Sequence, residues 1–150
     1  MGILERIRWI LVMGNREGIH QYLALLRGIN VGGNNIIRMA DLTKCFEQIK
    51  LEDVTTYIQS GNILFRSNEH DRARLTEKIE KALSETFHYN SRVVVMTYNQ
   101  IKNVIDGAPN QFGKSTALYR YDVIFMKEPL DVKTVVKSIK VKEGVDQVYE

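Results

Sequence analysis

The chain has 150 residues, 44% of them hydrophobic and 26% charged, a globular composition that excludes a disordered or collagen-like polypeptide and suits one domain. Its formal net charge of +3 divides as +2 over residues 1–75 and +1 over residues 76–150. There is thus no basic tail or charged half, and binding of nucleic acid or membrane by bulk charge is disfavoured, a local patch excepted.

Residues 1–19 read as an N-terminal appendage. The apolar run of residues 9–13 (WILVM) is too short for a signal peptide and no run reaches membrane-spanning length. A short amphipathic helix through Ile3, Leu4, Ile7 and Leu11 is the alternative, and Met13-Gly14 repeats the Met1-Gly2 start.

Residues 20–27 (HQYLALLR) are mostly apolar, in a run rather than an alternation, as in a central strand covered on both faces. GINVGGNN follows, glycine- and asparagine-rich, a structured loop. Met39, Leu42, Cys45, Phe46 and Ile49 then fall on one face of a helix. Cys45, the single cysteine, lies on that face and reads as a packing residue; no intrachain disulfide is possible. Residues 54–58 and 63–65 are strand-like, joined through the turn-forming Ser60-Gly61. A second helix carries Leu75, Ile79, Ala82, Leu83 and Phe87, with Asp71 or Asn68 as its N-cap. After the strand of residues 93–96, Thr97 and Gln100 form a capping box for a helix stopped by Gly107 and Pro109. Residues 118–126 read as a strand, Asp131 caps a short helix, and residues 145–149 read as a last strand.

The fold class is therefore α+β: a ferredoxin-like βαββαβ unit followed by a partial αβαβ half, in an antiparallel or mixed sheet with helices packed on it. Residues 20–150 form a single domain with a possible seam at residues 106–116, the one linker-like stretch.

The strings LLRGINVGGNN (residues 25–35), MADL (39–42) and TYIQSGN (56–62) closely resemble a bacterial family catalogued as domain of unknown function 1697. The resemblance covers most of the chain from about His20 and implies a compact domain built from ferredoxin-like units, in a cytoplasmic protein. It implies no activity. Relatives continue into a basic and aromatic segment containing Arg-Asn-Trp-Asn-Thr, for which this chain, ending at Glu150, has no counterpart. A site completed by that segment is expected to be lacking here.

Familiar chemistries mostly fail on spacing. GINVGGNN matches neither the Walker loop nor the dinucleotide fingerprint, and Lys114-Ser115-Thr116 lacks the upstream glycine. Ser60 lacks the glycine two residues before it that a nucleophile elbow needs. His20, His70 and His88 have no second ligand at metal-binding spacing, so no metal and no cofactor is expected. What remains is polar: Arg27, Asn30, Asn34 and Asn35 after the first strand, and Gln59, Ser60 and Asn62 between the second and third. In the ferredoxin-like order these two connections lie at opposite ends if the strands are regular, and come together if residues 57–62 carry a bulge; the sequence leaves both open.

Amides, a hydroxyl and one arginine suit a neutral or anionic ligand better than general acid–base chemistry. The first reading is a non-catalytic binding module for a small polar or phosphorylated ligand, with nucleic-acid phosphate as a further anion of the same kind. The alternatives are an enzyme on a small polar metabolite, its catalytic group supplied by the C-terminal segment or an oligomer neighbour, and a protein-interaction domain using the sheet face or an edge at residues 145–149. The sequence leaves the oligomeric state open.

Overall fold

A computed structural model describes residues 18–57 and 61–150. The expectations for residues 1–17, and for Gln59 and Ser60, lie outside the described residues. The elements run β1 (His20–Leu26), α1 (Met39–Gln48), β2 (Glu52–Tyr57), β3 (Asn62–Ser67), α2 (Arg72–Phe87), β4 (Val93–Thr97), α3 (Tyr98–Asp106) and α4 (Val132–Ser138). The strands form one antiparallel sheet in the order β2-β3-β1-β4. This is the arrangement that two interleaved βαβ units produce, so the ferredoxin-like expectation holds.

From Tyr22 to Leu26 β1 is apolar, because it is central and both its faces are covered. On the first face, Tyr22, Ala24, Leu26, Ile63, Phe65, Val93 and Val95 pack against Leu42, Cys45 and Phe46 of α1 and Leu75, Ile79 and Leu83 of α2. Phe46 is fully buried and meets Phe65 edge-on, ring centroids 5.7 Å apart. On the second face, Leu23, Leu64 and Met96 pack against Ile101 of α3, with Leu25, Val94, Val104, Ile105 and Phe125 half-buried around them.

The caps follow the sequence closely. The Asp71 carboxylate accepts from the N–H groups of Ala73 and Arg74 at the start of α2, Thr97 and Gln100 make the full capping box of α3, and Asp131 accepts from Thr134 N–H at α4. Each satisfies donors that the first helical turn leaves open.

The second half differs from expectation. Its helices α3 and α4 form, but residues 118–126 and 145–149 are not strands, and Leu118, Tyr119, Ile124, Val145 and Tyr149 are exposed. The outer edge of β4, where a further strand would pair, is occupied by side chains. Val93 N–H donates to Glu80 Oε1 at 2.8 Å, Lys127 Nζ donates to the Val93 carbonyl at 3.0 Å, and Arg72 donates to the Val95 carbonyl at 3.3 Å. With those backbone groups satisfied, an added strand gains little there. Phe125 instead packs on the second sheet face. The interaction edge expected at residues 145–149 is accordingly not a sheet edge; the sheet ends at β2 and β4.

Candidate functional site

The β1–β4 ladder pairs Leu25 with Val94 and Leu26 with Val93. Arg27 N–H donates to the Arg92 carbonyl at 3.0 Å, so the register continues one residue past both strands and sets Arg27 directly opposite Arg92. Side chains alternate along a strand, so this pair shares the second face with Leu25 and Val94. In the next row on the same face, Tyr57 stands opposite Asn62 and Asn62 opposite Leu25.

These residues line a cleft of about 860 Å³. Its floor is the sheet (Leu23, Leu25, Val94, Tyr57 and Asn62), its wall is residues 123–130, and Arg27 and Arg92 close one end. Like charges directly opposite on a sheet repel, and among the described residues neither arginine makes an ion pair. The other charges in the wall are already engaged: Glu128 faces Arg72 at 3.4 Å, and Lys127 faces Glu80 at 2.8 Å. The result is a local excess of positive charge in a chain whose overall charge is nearly balanced.

The asparagine-rich loop begins where Arg27 ends the ladder. Asn30 and Asn35 adopt positive φ, 53° and 47°, a region that asparagine tolerates better than other side-chain-bearing residues. Asn30 Nδ2 donates to the Ile37 carbonyl at 3.0 Å and Ile37 N–H returns a bond to Asn30 Oδ1 at 2.8 Å. Asn35 Nδ2 donates to the Gly28 carbonyl at 2.8 Å, and Asn34 N–H to the Val31 carbonyl at 3.1 Å. The Asn30 and Asn35 side chains staple the loop shut, as asparagines in turns do.

Of the site residues expected from sequence, Arg27 and Asn62 therefore meet in the cleft. Asn30, Asn34 and Asn35 sit in the loop beyond it and do not line it. The ends of the two polar connections that the structure describes, Arg27 and Asn62, share one end of the sheet; a bulge at residues 57–62 rests on residues 58–60, which lie outside the described ones. The regular antiparallel ladder puts Arg27 and Asn62 there, since β1 ends where β3 begins; a register irregularity lies at Glu52–Thr55. Sequence reasoning reads Tyr57 only as a strand residue and overlooks Arg92. The signal for Arg92 was its place immediately before the valine strand, the mirror of Arg27 immediately after β1.

Comparison with known proteins places this architecture. A family described as "Protein of unknown function (DUF1697)" matches residues 19–150. The chain belongs to that family. Among solved structures, a conserved bacterial protein from Streptococcus pneumoniae is similar, with 34% sequence identity and a TM-score of 0.71 over 83% of this chain and 69% of that one. No curated protein matches the chain.

The remaining reactive groups of this family member lie elsewhere. Cys45 is buried, 2% exposed, and burial pushes its thiol above the ordinary range, with a weaker opposing effect from Thr86. It is thus protonated at neutral pH and a poor nucleophile. His20 and His70, far apart in sequence, have ring centroids 4.4 Å apart, because the β1–β3 ladder pairs His20 with Ser67. Even so, no group of three or more metal-ligating side chains forms among the described residues. No helix among them is long and apolar enough to cross a membrane. Among the described residues the cleft lining holds no histidine or cysteine; its chemistry is cationic at one end, amide and phenol beside that, apolar below, with the ion-paired Lys127 and Glu128 in the wall.

Proposed function

We propose that the protein is a non-catalytic binding module whose site is the arginine end of this cleft, and that its ligand presents a phosphate or similar small oxyanion. The observation that carries this reading is the cross-strand pair of Arg27 and Arg92, joined by the 3.0 Å backbone bond and facing one cleft. Two planar guanidinium forks on neighbouring strands repel when empty and converge on an oxyanion when it is present. Asn62 and Tyr57, in the adjoining row, supply uncharged donors and acceptors to orient the rest of the ligand.

A thermal-shift titration with inorganic phosphate and phosphorylated small molecules tests this. A ligand at about 100 times its dissociation constant adds about 2.7 kcal/mol of stability. Arg27→Ala and Arg92→Ala should each remove that gain. Each should also leave the ligand-free protein as stable as before, or up to about 1 kcal/mol more stable, because a like-charge pair is relieved. Retention of the gain in the double variant, or no gain from any phosphorylated compound, overturns the proposal.

A further inference from the structure

We infer that the ligand of this cleft is an amphiphilic anion, a single alkyl or acyl chain with a phosphate or carboxylate head; this rests on the binding reading above and adds the ligand's apolar half. The cleft is polarised along the strands. Its two arginines stand at one end, and the wall's Lys127 is paired with Glu80. Moving along β1 from Arg27, the same face presents Leu25 and then Leu23, opposite Val94 and Met96 on β4. At the far end Leu23 and Met96 are already covered by Ile101 of α3, so the open floor stops at the Leu23 row. From the arginine row to the rim of the Leu23 row is at most four residues, roughly 13 Å of extended chain, which limits the tail to about octyl length.

The wall opposite is apolar as well. Ile124 and Leu130 line the cleft and are 69% and 59% exposed, with Phe125 and Pro129 beside them. Large apolar side chains facing each other across an open cleft gain from an apolar occupant. The volume of about 860 Å³ lies within the usual range of ligand pockets, roughly 300–1,000 Å³. A bare, hydrated phosphate at the arginines would leave that surface wet. A chain attached to the phosphate covers it, and charge complementarity fixes which way round it lies.

Isothermal titration calorimetry on the full chain with inorganic phosphate, butyl, hexyl and octyl phosphate, octanoate and octanol reads both halves separately. The expected result is affinity rising about fourfold per added methylene, the increment for burying each one. Octanoate should bind, and octanol should not. Ile124→Ser, a change at an exposed position, should flatten the chain-length dependence while leaving the effect of the head group. Inorganic phosphate binding as tightly as octyl phosphate overturns this inference and leaves the binding module standing. Octanol matching octyl phosphate overturns the charged head, and with it both proposals. Failure of every phosphate-bearing compound to bind does the same.

Discussion

Gly61 and Ile29 are in contact so close that no side chain fits between them. A Cβ on Gly61 would lie 2.9 Å from Ile29 Cδ1 and 3.0 Å from Leu26 Cβ. Gly61 also has φ +77°, and its carbonyl accepts from Leu26 N–H at 2.9 Å. Gly61 is thus pressed onto the start of the asparagine-rich loop, with Ile29 only 1% exposed. Gly61→Ala adds both a strained backbone and an overpacked contact and should cost about 1–3 kcal/mol. Urea titration reads it as a lower midpoint at unchanged slope. A cost below about 0.5 kcal/mol would mean that the turn relaxes freely and does not fix the loop.

Asn30 closes the same loop from the other side. Its amide both donates to and accepts from the Ile37 backbone, at 3.0 and 2.8 Å. Asn30→Ala removes both bonds and places alanine at positive φ, so about 1–3 kcal/mol of stability should be lost. Asn30→Asp keeps the acceptor and loses the donor, and should fall between. Were Asn30 a ligand contact instead, Asn30→Ala would abolish phosphate binding with stability intact; that pattern in paired thermal-shift and binding measurements would displace the loop-staple role.

The sequence carried the sheet and its helices because their signals are local. The apolar stripe of Leu42, Cys45 and Phe46 and the capping box of Thr97 and Gln100 are each set within a few residues, and all appear in the fold. Residues 118–126 misled for the opposite reason. Their apolar content is that of a strand, but a strand exists only through its partner, and β4's edge is taken by Glu80, Lys127 and Arg72 from distant parts of the chain. The site shows the same division. Arg27 and Asn62 were legible as polar residues at strand ends, whereas the pairing of Arg27 with Arg92 is a fact of register across 65 residues that no local pattern encodes.

Glu80 guards that edge with one carboxylate. Its Oε1 accepts from Val93 N–H at 2.8 Å and holds Lys127 Nζ at 2.8 Å, and Lys127 in turn covers the Val93 carbonyl. Open strand edges are templates for pairing with another chain. Glu80→Ala releases both groups of Val93 and should lower stability by about 1–3 kcal/mol while promoting self-association through β4. Size-exclusion chromatography across a concentration series checks this. Glu80→Gln keeps the acceptor for Val93 and should remain as the parent does; a parent-like profile for Glu80→Ala as well would show that the edge is protected by something else.

Tyr89 gives the stability a dependence on alkaline pH. Burial, reinforced by Cys45 and Glu80 nearby, pushes its phenol from 10.0 up to about 12, and its hydroxyl oxygen is buried with no hydrogen-bond partner among the described residues. A phenol whose folded pKa lies above its unfolded one holds its proton longer in the native state. Its contribution is therefore complete below about pH 10 and is lost as pH rises through the folded value near 12. Denaturant titrations at a series of pH values should show a decline over that window that is shallower in Tyr89→Phe. At neutral pH the same variant should match or exceed the parent, because removing an unsatisfied buried hydroxyl relieves a desolvation cost. A loss of more than about 1 kcal/mol at neutral pH would assign that hydroxyl a partner in the native fold, and an unchanged alkaline slope would move the titration to Cys45 or Tyr22, whose protons burial also holds above their ordinary range.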